Sequence, residues 1–517
     1  FLGCTGHPLI QTPVIDKLAA DGVRFENAFV TTSICAASRA SLLTGLYERT
    51  HGYTFGKPKL SAANLEDSYP SQLRKAGYRT GFIGKFGVGV PRGATAAMFD
   101  SFVPLNRNPY FHKQPDGSLR HETEVAGDRA IEFLRGAEGD GRPFCLSVSF
   151  NASHAEDGDK VNHFPFPKAV AKLYEGMVMP PPRHADPKTF ESQPEFLRKS
   201  MNRDRYFWRW DTPEKYQHNM RNYLRMISGI DGVIGRVQAQ LGELGLADNT
   251  IIIYMADNGY YAGSRGFAGK WSHYEESLRV PLIIMDPRSE PSQRGVVRQE
   301  MALNVDIAPT LLSYASAELP QRYQGVPLTG EIPRRDFFCE HLMDNASIPK
   351  WEGVRDRRYV YARYFEQDPP FEFLHDLQQD PDEFVNLAAD PASAAILKSM
   401  QERCDDLRDT YTQAATPPLS VEKLVERAQQ EAGRGDLAAA AESVGLAIRQ
   451  QPDLLLHRSR AQIFSQLGQH KRAVADYSAA IKLAGDDAEL VADLHQSRGV
   501  ERFFDAQIEP SVADFDA

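Results

Sequence analysis

Cysteine is scarce in this chain: five residues, Cys4, Cys35, Cys145, Cys339 and Cys404, are spread over 517 positions. No close pair suggests a zinc site, and so sparse and odd a set excludes a disulfide framework as the source of stability. Long apolar runs are missing too, and none approaches the ~18 residues that span a bilayer. Positive charge is in deficit, with 59 Lys and Arg against 69 Asp and Glu. The net charge of −10 argues against a nucleic-acid partner, which needs a basic face. It also means that an anionic ligand has to be drawn in by cations gathered locally in a cleft. The chain opens at Phe1 with neither an initiator Met nor an export signal, and we expect further coding sequence upstream.

What is present is enough apolar sequence for a large core, over a length that predicts two to four domains. From residue 1 to about 412, strand-like runs alternate with helical segments, the signature of an α/β fold. Strands are expected at Thr80–Ile83, at Pro143–Phe150 and at the continuous apolar run IIIYMA, residues 251–256. A long helix is expected over His218–Gly245, where Met220, Tyr223, Leu224, Ile227, Ile230 and Ile234 recur at three- and four-residue steps. Asp257, Asn258 and Gly259 follow the IIIYMA run directly. In α/β sheets ligands gather at the carboxyl ends of strands, so this polar cluster is well placed for chemistry.

A Pro-containing linker at Ala414–Leu419 precedes an Ala-rich helical tail. There SRA at Ser459–Ala461 recurs as SRG at Ser497–Gly499, and VADY at Val474–Tyr477 recurs as VADF at Val512–Phe515. Ala428, Ala440 and Ala447 likewise align with Ala461, Ala473 and Ala480. The pattern resembles tetratricopeptide repeats, in which small residues let paired helices approach closely, and its last unit ends early.

The segment Ser33–Gly45, SICAASRASLLTG, carries the most chemistry. Cys35 precedes an expected helix, and Arg39 lies one turn on along the same face. A thiol at a helix start beside a guanidinium sits in a positive field suited to anions. The competing reading is a small buried residue at the start of a helix. Cys35-Ala36-Ala37-Ser38-Arg39 with Leu42-Leu43-Thr44-Gly45 resembles the signature of the sulfatases, in which the cysteine is oxidised to formylglycine. The resemblance extends through Gln11–Phe29, GFIGK at Gly81–Lys85, the SFNASH block ending at His154, and DNG at Asp257–Gly259. It continues through GKWSHYEESLRVPLII at Gly269–Ile284 and FLHDLQQDPDEFVNLA at Phe373–Ala388.

This resemblance implies a large mixed, mostly parallel sheet flanked by helices, as in alkaline phosphatases. It divides the chain into a catalytic domain over 1–320, a smaller C-terminal α+β subdomain over 321–412 and the helical-repeat tail over 420–517. It implies that Cys35 becomes a hydrated aldehyde, one hydroxyl of which attacks sulfur while the other later expels sulfate. Asp257, Asn258 and the modified Cys35 would hold Ca2+ or Mg2+, both of which take hard oxygen ligands. Lys85 and Lys270 would bind the sulfate oxygens, His154 would protonate the leaving group, and Arg39 would orient the nucleophile. Arg265, between the metal pair and Lys270, is expected to add a further substrate-binding cation.

Two departures from the family pattern stand out. The Asp-Asp pair that supplies further metal carboxylates is expected upstream of Phe1, on a central strand. The histidine expected two residues after Lys85 is replaced by Gly87, leaving His51 and His273 as alternative bases, each with a competing structural role. The aromatic and basic stretch Asn202–Tyr216 could place Trp208, Arg209 and Trp210 against a sugar, or serve only for packing. Tyr260 and Tyr261 are further candidates for lining the pocket.

The activity implied is hydrolysis of a sulfate ester on a small molecule or glycan, after maturation by a formylglycine-generating enzyme. The alternatives are a phosphodiester or phosphonate monoester hydrolase, and an inactive binding protein organised around its repeats. The tail would serve a protein partner or dimerisation, and the resemblance favours a periplasmic or secreted location.

Overall fold

A computed structural model describes residues 1–137, 139–159, 161–415, 421–485, 487–506 and 508–515. Its contacts divide the chain into two compact units, Phe1–Ala415 and Thr416–Ala517. In the first unit the strands are β1 (Val23–Phe29), β2 (Arg79–Gly84), β3 (Ser101–Pro104), the hairpin β4 (Phe111–Lys113) and β5 (Leu119–His121), β6 (Phe144–Ser149), β7 (Ile252–Met255), β8 (Leu282–Met285) and β9 (Val296–Leu303). Then follow β10 (Asp336–His341), β11 (Trp351–Asp356), β12 (Tyr359–Tyr364) and β13 (Phe371–Asp376).

The α/β architecture is as expected, but the single large sheet is divided. β7-β8-β1-β9 form a mixed sheet in which only β1 and β9 pair in parallel, while β3-β2-β6 form a separate parallel sheet. β6 and β7 each pair on one side only, and no strand among the described residues supplies hydrogen bonds to their outer edges. Those edges line a cavity of about 2000 Å³.

The long helix runs over Pro213–Glu243 and starts five residues before His218. Thr212 accepts from Lys215 N at 3.3 Å and Pro213 occupies the first helical position, so the start is set by its cap. The polar first turn hid it from apolar periodicity. Met220, Leu224, Ile227 and Ile230 are buried.

β10–β13 form an antiparallel meander. Residues 321–412 do not stand apart as a domain, because their apolar faces share one core with the first sheet. Phe29 of β1 stacks on Phe337 of β10 at 5.1 Å, and Tyr47 stacks on Tyr411 at 3.9 Å.

In the second unit the helices are Val421–Gly433, Leu437–Gln450, Leu454–Gln466, His470–Leu483, Ala488–Phe504 and Ile508–Phe515. All six aligned alanines are buried at helix contacts, where a larger side chain would hold the helices apart. The 38-residue recurrence also repeats an ion cluster. Asp476 binds His457 Nδ1 at 2.9 Å and Arg460 Nη2 at 2.7 Å, and Asp514 binds His495 Nδ1 at 3.1 Å and Arg498 Nη2 at 2.6 Å.

Candidate active site

Cys35 is the first residue of the helix Cys35–Thr44. Its N-cap, Ile34, has no side chain that can bond the first-turn N–H groups, so those donors are left for an anion. Gly45 closes the helix at φ 66, the left-handed conformation that favours glycine, and its N–H reaches Ser41 O. Tyr323 lies 3.1 Å from where a Cβ would stand, so the glycine is also needed for packing.

One turn on, Arg39 Nε donates to Asp257 Oδ2 at 2.7 Å, and Arg39 Nη1 donates to the Lys85 carbonyl and the Ser149 hydroxyl. Lys85 Nζ stands 3.8 Å from the same Asp257 oxygen. Asp257 and Asn258 follow β7, Lys85 follows β2 and Ser149 ends β6, so four chain segments converge on one guanidinium. Lys270 is buried between Gly269 and Trp271, and Trp271 adopts φ 83. A left-handed backbone at a non-glycine residue stores strain, a common feature of functional sites. Arg39, Lys85, His154, Asp257, Asn258 and Lys270 all line the cavity described above.

The electrostatics are those of an anion site. Burial opposes ionisation of the Cys35 thiol, but Lys270, Lys85 and Arg39 outweigh it and hold the thiol below its ordinary value. Burial would likewise raise the Asp257 carboxyl, yet Arg39, Lys85 and Lys270 hold it well below the usual carboxylate range. Burial lowers Lys85, with Asp257 opposing. His154 is driven well below its ordinary value, first by burial and then by Lys270, Lys85 and Arg107, while its Nδ1 lies 2.8 Å from the Ala155 carbonyl. The histidine expected to protonate the leaving group is therefore a neutral imidazole in the free site.

The donors fit part of a hard-cation shell. Asn258 Oδ1 is buried without a hydrogen-bond partner, and it adjoins the ionised Asp257. Two such oxygens suit Ca2+ or Mg2+, which take six or more. Among the described residues, no group of three or more His, Cys, Asp or Glu side chains is placed to hold a metal ion, so Asp257 and Asn258 supply only part of a shell.

Several expected residues have other roles. Arg265 is buried with its guanidinium committed to Glu276 at 2.9 Å, to Glu383 at 3.4 Å and to the Asp382 carbonyl at 2.6 Å. This corrects its reading as a substrate cation. Its main partner, Glu276, lies eleven residues on, while Glu383 and the Asp382 carbonyl come from a distant segment that local spacing cannot reveal. His51 is buried, with Nε2 3.1 Å from Ser41 Oγ and Nδ1 accepting from Tyr53 N at 3.0 Å. His273 bonds Tyr364 OH at 3.0 Å and stacks against His375. Both are structural. Gly87 adopts φ 68, and a Cβ there would stand in van der Waals contact, 3.4 Å from Arg39 Cδ and 3.9 Å from Lys85 Cε, without a clash. Trp210 is a core anchor whose Nε1 donates to Tyr260 OH at 3.3 Å. Tyr261 is buried against Ser272 at 2.5 Å.

Sequence reasoning missed Ser149, Asn151, Glu122 and Arg107. Burial pushes Glu122 up to about 7 against the Asn151 hydrogen bond at 3.0 Å and the charges of Lys85 and Arg39. Only the SFNASH block, which contains Ser149 and Asn151, offered a signal.

A model of the sulfatase family matches residues 1–317, and one of the C-terminal region of N-sulphoglucosamine sulphohydrolase matches residues 263–410. An N-acetylglucosamine-6-O-sulfatase of Bacteroides thetaiotaomicron is 26% identical over 480 residues, covering 79% of this chain and 84% of that protein. An arylsulfatase of Clostridium perfringens is 27% identical over 435 residues, covering 75% and 87%. A solved structure of a protein with its substrate D-glucosamine-2-N,6-O-disulfate shares the fold at TM-score 0.66 and 24% identity, over 80% of this chain and 95% of that one. A phosphonate monoester hydrolase from Silicibacter pomeroyi shares it at TM-score 0.66 and 23% identity, over 78% and 91%.

Proposed function

The chain belongs to the sulfatase family and is a sulfuric ester hydrolase, and from that premise we propose that it cleaves a sulfate ester on a carbohydrate through a nucleophile made from Cys35. The observation that carries this reading is the convergence of Arg39, Lys85, Lys270 and Asp257 on one cavity beside Cys35. There Arg39 Nε bonds Asp257 at 2.7 Å, Lys85 Nζ stands 3.8 Å from it, and the three cations favour the charged forms of both acids. Oxidation of Cys35 to formylglycine supplies a hydrated aldehyde, one hydroxyl of which attacks sulfur while the other expels sulfate. A divalent cation at Asp257 and Asn258 supplies charge neutralisation and lowers the proton affinity of the attacking group.

The chain's own residues do the rest. Lys85 and Lys270 hold the sulfate oxygens, and their fixed charges meet the negative charge that develops there. Arg39 keeps Asp257, Lys85 and the helix start in register. His154 begins neutral. Bound sulfate offsets the lysine charges that depress it, so the imidazole gains basicity and can hold the proton that passes to the leaving oxygen.

The carbohydrate assignment rests on the Bacteroides relative, named as an N-acetylglucosamine-6-O-sulfatase. Comparing kcat/KM on an aryl sulfate and an aryl phosphodiester tests it against the phosphonate hydrolase that shares the fold; preference for the phosphodiester would overturn the sulfatase reading. The second unit is read as tetratricopeptide-like, carrying a protein partner or a second copy, and the setting as periplasmic or secreted.

A further inference from the structure

Beside the cavity stands a second group of cations that the proposed chemistry does not use. Arg209, on the helix Met201–Arg209, is buried against Asp157 Oδ1. Arg107 Nη2 reaches Asp157 Oδ2 at 3.4 Å, and Arg205 Nη2 lies 3.9 Å from the same oxygen. Three guanidinium groups thus face the Asp157 carboxylate, and with Glu156 near Arg107 the group keeps a positive excess. Arg205 is the least satisfied. Its faces are covered, with Trp271 at 5.0 Å and Trp208 at 5.9 Å from Cζ. Stacking leaves the N–H edge of a guanidinium unused. Arg205 Nε and Arg209 Nε are both buried without a hydrogen-bond partner. Burying such donors unpaired is costly, and the nearest carboxylate oxygen to the Arg205 Nη groups is 3.9 Å away, so a residue that lines the cavity keeps donors for an acceptor bound there.

The position of the group says which part of a substrate it meets. Asn202, one turn before Arg205, donates to the Lys270 carbonyl at 2.7 Å. Arg107 Nε donates to the Ala155 carbonyl at 3.3 Å, next to His154. Arg205 and Arg209 line the same cavity as Lys270 and His154. The cluster therefore lies on the leaving-group side of the site.

We infer that Arg205, with Arg107 and Arg209, forms an anion subsite that binds a second charged group, a sulfate or a carboxylate, on the sugar whose sulfate ester is cleaved. This rests on the sulfatase reading, since it takes the scissile sulfate to lie between Lys85 and Lys270. A planar guanidinium edge matches either anion through paired N–H donors. The substrate class is then a sugar bearing two anionic groups.

The test is calorimetric binding to the full chain carrying Cys35→Ala, which does not turn the ligand over. The probes are glucose-2-sulfate, glucose-2,6-disulfate and glucuronate-2-sulfate, which differ only at carbon 6. At least one of the two dianions is expected to bind tenfold or more tightly than glucose-2-sulfate, and which one does so identifies sulfate or carboxylate as the second anion. Arg205→Met is expected to bring that preference below threefold, with Arg205→Lys intermediate. Equal affinity for all three probes, or a preference that survives Arg205→Met, overturns the subsite. The comparison in the parent protein stands even if the Arg205 variants fold poorly. Turnover of an aryl sulfate by the chain with Cys35 intact is measured alongside. A dianion preference without any turnover would sink the sulfatase reading, and turnover without the preference would sink the subsite alone.

Discussion

Arg39 Nε and Asp257 Oδ2 lie 2.7 Å apart, and this contact joins the two sheets. The same guanidinium reaches the Lys85 carbonyl after β2 and the Ser149 hydroxyl at the end of β6. Arg39→Lys keeps the charge but cannot make these bonds from one point, because an ammonium lacks the planar fork. Losing a positioned donor at such a site is expected to lower kcat by about 100-fold. Arg39→Ala leaves Asp257 short of its main partner and is expected to cost about 3 kcal/mol of stability. Steady-state kinetics and chemical denaturation check the two effects separately.

Asp257 and Asn258 are expected to carry the metal oxygens that this chain supplies. Asp257→Ala should weaken Ca2+ or Mg2+ binding by roughly 10-fold or more, read by calorimetry without any turnover. Chelation should abolish hydrolysis, and adding the ion back should restore it. Unchanged affinity in Asp257→Ala would move the metal site elsewhere.

Much of this centre was legible in the chain itself. Cys35 and Arg39 stand out through the resemblance of Cys35–Gly45 to the sulfatase signature, which the one-turn spacing alone leaves open, and Asp257 by its place after an apolar run. The strand at IIIYMA and the alanine recurrence in the tail are periodic features, and periodicity survives in sequence. Ion pairing across distant segments does not. Arg265 looked like a substrate cation from its place between Asn258 and Lys270, whereas its guanidinium is taken up by Glu276, eleven residues on, and by the Asp382–Glu383 segment, about 118 residues away. The Arg107, Arg205 and Asp157 group was hidden for the same reason. The strand order within each sheet was unreadable because it depends on pairing rather than on local pattern, whereas the resemblance implies a central strand outside residues 1–517.

Gly87 offers a direct test of the missing base. Its φ of 68 can be adopted by histidine at modest strain, and a Cβ there would touch Arg39 and Lys85 at ordinary contact distances without a clash. If slow sulfate release follows from the missing base, an aryl sulfate should give a burst of aryl alcohol followed by a slower steady rate. Gly87→His should shrink the burst and raise the steady rate. A wild type without a burst would show that another group already takes the proton.

Buried histidines set the acid limit of the fold. Burial lowers His51 to about 3, and it lowers His121 and His375 to about 4. Each is depressed relative to the unfolded chain, near 6.5, so the unfolded state binds more protons at intermediate pH. Stability from these groups is fully present above pH 6.5 and falls as pH drops toward 3. The melting temperature should decline across that window, and His51→Asn should flatten the decline. A variant with the full wild-type slope would show that His51 does not contribute.

The most direct measurement is the intact mass of the peptide containing Cys35, taken from protein co-expressed with a formylglycine-generating enzyme. We predict a mass lower than that of the cysteine peptide by the replacement of SH2 with O, together with loss of hydrolysis in Cys35→Ala. A peptide that keeps its thiol in a preparation that nonetheless hydrolyses sulfate esters would contradict the assignment of Cys35 as the source of the nucleophile.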